Sequence, residues 1–448
     1  MALNIILFLI LLFLVLIIFK IYNKDVFEPS FLFSISFLIL SLMALLNNNK
    51  WNLNLHLNTF LVVVLGVIEF VLVCFIVKTI YQKKFLKEEK YGAPKLIKIP
   101  YYFEIPYFFL SIIICIVFAL YIISVVNVDI KSIKDISNAI GIFDYLSKFT
   151  ENYDTVKLPF LVSNSRFAII AIGSIFNYVI INNYFVNKKF KLIEIGISLV
   201  ALISTFLDGS RTGAFYYVFA IIAMIFILRN KKNNYKNNFN FIIFKNIFII
   251  SAIFILSFLP LAKLLGRNTN NINTFDYISI YCGAQLKNLD IALQEDDFPK
   301  KSSIFGSQTF YTLNKTLGTK FNLKNYGPYH VDTPFRRING YNLGNVYTTF
   351  YAYIYDFGYF GEFVLVFVMA FISQLIYEKT KESKKNRISL SILMYSFISN
   401  MLIMSFFSNK FYENIFSTIF IKNILIWIVC IALIESFNNE RSIKNEKE

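Results

Sequence analysis

Uninterrupted apolar runs of about 20 residues recur along this chain, and they constrain its fold more than any other feature. Such a run has no polar face to offer water. In hydrocarbon it must satisfy its own backbone N–H and C=O groups, which leaves the α-helix as its conformation. The runs fall at about 3–19, 29–47, 57–80, 105–127, 166–187, 190–207, 212–228, 241–262, 359–377, 388–407 and 414–436. The sequence therefore predicts an all-α polytopic membrane protein of about 11 (10–12) transmembrane helices, one integral membrane domain over 1–448. A hydrophobic content of 56%, 16% charged residues and a mean hydropathy of +0.58 agree with that reading. The first run lacks a basic leader and a small-residue cleavage site, so it reads as a retained helix.

A formal charge of +16 raises the question of nucleic acid, but the lysines and arginines lie in the connections between apolar runs. That placement points to membrane topology and a lipid bilayer, with no nucleic-acid partner. Lys20 and Lys24, Lys78 to Lys98, Lys188 to Lys191, Arg229 to Lys236, Lys379 to Arg387 and the tail from Arg441 to Lys447 form one set. The short connections of opposite parity carry a single basic residue each: Lys50, Arg211 and Lys410. The positive-inside rule makes the basic set cytoplasmic, with the N-terminus outside and the C-terminus inside. Two long segments, 128–165 and 263–345, then face outward, and loops of such length usually carry function. In the second, Phe275, Ile278, Cys282, Leu286, Leu289 and Leu293 recur at helical spacing and predict an amphipathic helix on the membrane surface. Residues 326–345, rich in Gly, Pro and Asn, read as irregular backbone.

Three stretches hold residues suited to chemistry. In FLDGSRTGAFYY (206–217), Arg211 stands at a tight turn between two spans, where Ser210 and Thr212 can cap the next helix. A guanidinium there grips phosphate bidentately; the plainer reading is a capped turn, with Arg211 paired to Asp208 or reaching to headgroups. In the large loop, His330, Asp332, Arg336 and Arg337 crowd within a few residues, a set able to bind a diphosphate and move a proton. His56, in a short loop beside Trp51, reads as an interfacial residue. In NVYTTFYAYIYDFGYFG (345–361), Asn345, Tyr347, Tyr351 and Tyr355 follow helical spacing ahead of Asp356. Such tyrosines form either an aromatic belt or a platform for sugar rings, and Asp356 either caps a helix or binds hydroxyls. Glu69, Lys245 and Lys422 are ionisable residues inside apolar spans, and Glu69 has no evident sequence partner. The chain has no Walker A loop, HExxH, GxSxG or paired-Asp metal motif, and its four cysteines show no disulfide or metal spacing.

With GSRTG at 209–213, IFGSQTFYTL at 304–313 and NVYTTFYAYIYDFGYFG at 345–361, the chain resembles the oligosaccharide repeat-unit polymerases of bacterial O-antigen and capsule synthesis, the Wzy type. The resemblance spans about 160–380. It implies a glycosyltransferase C-like body in the bacterial inner membrane that uses no nucleotide sugar, metal or other cofactor. Its substrates would be undecaprenyl-diphosphate-linked oligosaccharides: a growing glycan passes to the non-reducing end of an incoming lipid-linked unit. A flippase and a chain-length regulator are the implied partners. On this reading Arg211, Arg336 and Arg337 hold the diphosphate, His330, Asp332 or Asp356 serves as base, and Asn345, Tyr347 and Tyr351 bind sugar. A ligase that moves finished glycan to another acceptor, and a flippase or other transporter, are the alternatives.

Overall fold

The computed structural model describes residues 1–85, 94–127, 133–149, 158–209, 211–235, 245, 273–300, 302–321, 323–326, 329–382 and 387–445. Among these, eight helices are long and apolar enough to cross a membrane. They are α1 (Ala2–Ile21), α2 (Pro29–Leu46), α3 (Leu57–Phe85), α4 (Tyr101–Val126), α6 (Phe160–Asn187), α8 (Arg211–Lys232), α11 (Thr349–Lys381) and α14 (Thr418–Asn445). Each coincides with an expected span. The expected spans 190–207 and 388–407 are shorter apolar helices, α7 (Leu192–Phe206) and α12 (Leu390–Ile403), and two further helices are α5 (Ile133–Phe149) and α13 (Lys410–Ile415). The span 241–262, apart from Lys245, and Ser210 lie outside the described residues. Leu9, Phe13, Leu110, Ile113 and Leu120 stand exposed along α1 and α4, a surface that a bilayer would cover. Within the bundle α3 packs along α11, and Phe33, Phe37, Phe70 and Phe350 interlock, with Phe33 stacked on Phe70 at 4.1 Å.

Polar contacts tie several of the described connections together. On one side Tyr377 donates to Asp25, and Lys381 pairs with Glu378 at 2.7 Å and Glu28 at 3.6 Å. The other side carries the elements between α8 and α11: α9 (Thr274–Ala292), α10 (Tyr311–Lys320) and an antiparallel hairpin of β1 (Arg336–Ile338) with β2 (Tyr341–Gly344). This is the loop face.

Two expectations for the loop face need correction. The amphipathic helix exists as α9, but it does not lie free on a membrane surface: Ser279, Gln285, Asn288 and Asp290 are all buried. It crosses the end of α2, where Gly283 sits so close that a Cβ would stand 2.8 Å from Met43 Cβ and 2.9 Å from the Ala44 nitrogen. Residues 50–56 cover its other flank, with Lys50 paired to Asp276 and Lys287 bonded to the Asn52 carbonyl. The stretch 326–345 is not wholly irregular either. Asn339 and Gly340 both take positive φ, the geometry that a two-residue hairpin turn demands, and they close β1 onto β2. Finally, α11 is broken at Gly358 (φ 67, ψ −171), so the span expected at 359–377 begins just after a short preceding helix.

Candidate active site

The polar groups of the loop face gather at two places, one at each end of α9. Near its N-terminus, Arg211 is buried and donates to the Tyr277 hydroxyl at 3.1 Å. Asp208 accepts from Arg166 at 2.9 Å, and Arg166 also donates to the Ser204 carbonyl at 3.1 Å. The turn that carries Arg211 rests on Gly209 (φ +75), where a Cβ would meet Asp144 at 2.6 Å. Two buried guanidiniums, Arg166 and Arg211, thus flank one interhelical turn. Arg166 was not singled out in the sequence, although an arginine opening an apolar run is the mark of a residue that must be paired.

The C-terminal end of α9 holds the richer set. Asp290, fully buried, accepts from the His56 backbone N–H at 2.9 Å and the Thr59 hydroxyl at 2.8 Å through one oxygen. Its other oxygen faces His56 Nδ1 at 3.1 Å. A carboxylate only accepts, so the ring proton sits on Nδ1 and Nε2 is left as the acceptor. The His56 side chain is 54% exposed and Asp290 only 1%, so the pair is an oriented imidazole opening to the surface. Next to His56, Asn58 donates to the Tyr359 hydroxyl at 2.7 Å, just past the break at Gly358. That break in turn lies against Pro299.

Around the same end, Arg336 pairs with Glu295 through Nη2 and donates through Nε to the Tyr347 hydroxyl at 3.1 Å. Lys300 Nζ and the Tyr355 hydroxyl both donate to one oxygen of Asp332, at 2.9 and 3.0 Å. The bond to Asp332 holds the Lys300 ammonium above its ordinary range. Behind these groups Tyr347, just ahead of α11, stacks on Tyr351 of that helix at 4.2 Å, and Phe298 packs against Tyr351 and Tyr355.

Several expected roles change with this geometry. Tyr347 and Tyr351 are buried and stacked on each other, and their hydroxyls bond to the Pro334 and Asp332 carbonyls. They are a scaffold for the loop and offer no free ring face to a sugar. Asn345, half-buried, precedes this ladder. Asp356 accepts from Ser307 Oγ at 3.0 Å and from the backbone N–H groups of Gln308 and Thr309 at 3.0 and 2.6 Å, so it anchors the segment 307–309. Its oxygens are committed to that segment, which does not suit a base. His330 is exposed, with no hydrogen bond or ion pair among the described residues, whereas His56 has its orienting carboxylate. Arg336 and Arg337 are adjacent on β1, where the pairing register shifts; Arg336 is half-buried against Glu295 and Tyr347, and Arg337 is exposed. Arg211 and Arg336 do not converge on one diphosphate. They stand at opposite ends of a 19-residue helix, roughly 28 Å long at 1.5 Å per residue.

The signal for Asp290 was present in the sequence: it is a carboxylate on the same helical face as Leu286 and Leu293, and burial of such a group requires partners. Comparison with protein-family models, with curated proteins and with solved structures finds no match for this chain.

Proposed function

We propose that this multi-pass membrane protein is a glycosyltransferase that joins lipid-linked oligosaccharide units, as the resemblance to the repeat-unit polymerases implies, with the loop face outside and the basic face cytoplasmic. The observation that carries the reading is the His56–Asp290 pair at the same end of α9 as the Arg336 guanidinium. Glycosyl transfer to a hydroxyl needs a base for the acceptor proton and positive charge for the departing diphosphate. In this reading His56 Nε2 takes the proton of the acceptor hydroxyl as that oxygen attacks the anomeric carbon of the donor. The bond from that carbon to the diphosphate breaks, leaving undecaprenyl diphosphate, and the configuration inverts. Asp290 steadies the imidazolium. Arg336 exchanges Glu295 for the leaving diphosphate, a contact of the kind worth on the order of 10²–10³ in rate. Asp332, held by Lys300 and Tyr355, is the alternative base.

The two-ended layout of the loop face favours transfer between two lipid-linked glycans over passage of one. A polymerase holds a donor and an acceptor together, and each carries a diphosphate. Arg336 serves one and Arg166 with Arg211 the other, with sugars spanning the length of α9. The test is removal of the protein followed by gel analysis of the surface glycan. Carriers capped with a single repeat are expected; complete loss of surface glycan would instead mark a flippase or a ligase. Purified protein given synthetic lipid-diphosphate repeats should build a ladder, and the new linkage should show inversion at the donor anomeric carbon.

A further inference from the structure

The seam between α3 and α11 holds two carboxyl groups that the transfer reaction does not use. Glu69 lies near the middle of α3, and Glu362 lies one turn beyond the break in α11. Glu362 is only 8% exposed, and Oε1 of each residue is buried without a hydrogen-bond partner among the described residues. Glu362 Oε1 presses into α3 beside Gly66, 2.8 Å from where a Cβ on that glycine would stand. Glu69 follows Gly66 by three residues, hence on the same helix face. Glu69 acts electrostatically on Glu362, and no other charged side chain among the described residues is seen to do so. A carboxylate inside a membrane without a donor or counter-charge is among the costliest arrangements available to a protein, and here two carboxyl groups, each with an Oε1 that has no partner among the described residues, share one seam. A cation held by the pair would remove that cost.

We propose that Glu69 and Glu362 form an intramembrane binding site for monovalent cations, either protons or sodium ions, at the α3–α11 seam. Glycine at 66 is what lets Glu362 reach it. The α11 partner follows the segment that holds Tyr355 and Asp356, so the site sits about two turns along the chain from the anchors of the loop face.

The test uses the full-length protein in lipid nanodiscs and dicyclohexylcarbodiimide, which couples to protonated carboxyls in apolar surroundings and adds its whole mass to them. Labelling of Glu69, the more exposed member, is expected by peptide mass spectrometry, and it should fade as pH rises. Protection by sodium chloride but not choline chloride identifies a sodium site; labelling indifferent to sodium identifies a proton site. In Glu362→Gln the loss of labelling at Glu69 should move to lower pH by about one unit, equivalent to about a tenfold drop at fixed pH above the midpoint. Glu69→Gln, read out at Glu362, provides the same test should the first variant fold poorly. Absence of label at both residues at every pH, or a midpoint unmoved by removal of the partner, overturns the proposal. Because labelling needs no glycan substrate, its outcome is independent of the transfer assay.

Discussion

Replacing Asp290 by asparagine separates the proposed base from the fold that holds it. In the native protein Asp290 Oδ1 accepts two hydrogen bonds, from the His56 N–H and the Thr59 hydroxyl, while Oδ2 faces His56 Nδ1. An asparagine placed with its carbonyl oxygen at the Oδ1 position keeps both of the first two. Its NH₂ then meets Nδ1 as a donor, so the imidazole must turn its proton over to Nε2, the atom that has to receive the acceptor's. The structural cost is the difference between a charge-assisted and a neutral bond, about 1 kcal/mol. The catalytic cost is the whole contribution of a general base, 10²–10⁴ in rate, or about 3–5 kcal/mol of barrier. Thermal unfolding in detergent and initial rates of chain growth on synthetic lipid-diphosphate repeats measure the two separately. The expected result is a modest change in Tm with a rate fall of at least about a hundredfold, matched by His56→Gln. Rates within about threefold of wild type for Asp290→Asn would refute the tautomer argument, and with it His56 as base.

The same rate assay separates the adjacent arginines: Arg336→Gln is expected to lose about 10²–10³ in rate, whereas Arg337→Gln, on the solvent face of β1, should stay within a few-fold. Gly358→Ala puts a side chain at φ 67 and ψ −171, a region reserved for glycine, at a cost of about 1–3 kcal/mol. Because Tyr355 and Asp356 hang on that break, glycan length on gels should shorten while the protein remains in the membrane fraction. On the opposite face, burial pushes Glu28 from its ordinary 4.5 up to about 7. The folded state therefore keeps a proton that the unfolded chain releases, and this stabilisation is complete below 4.5 and lost as pH rises through about 7. Tm should decline across that window, and Glu28→Gln should flatten the decline.

Eight of the expected spans were legible because hydropathy over about 20 residues is a local property, whereas the break at Gly358, a matter of one residue's backbone, was not read. The hairpin at 336–344 was missed: its signal is the Asn339–Gly340 pair, but the surrounding Gly, Pro and Asn made the stretch read as irregular backbone. The site was harder to read because sequence proximity misleads in extended backbone. His330, Asp332, Arg336 and Arg337 look like one cluster in the sequence, yet Arg336 is half-buried against Glu295 and Tyr347 while Arg337 and His330 are exposed. The pair that does form, His56 with Asp290, is joined across 234 residues of sequence. No local pattern encodes that distance. What the sequence does encode is the obligation on one side: Asp290 interrupts an apolar helix face, and a buried carboxylate must find donors. In a membrane protein that obligation is stricter than in water, since the bilayer supplies no donors. The same reasoning draws Arg166 to Asp208 and singles out Glu69 and Glu362, whose Oε1 atoms have no donor among the described residues, as the pair for which a cation is proposed.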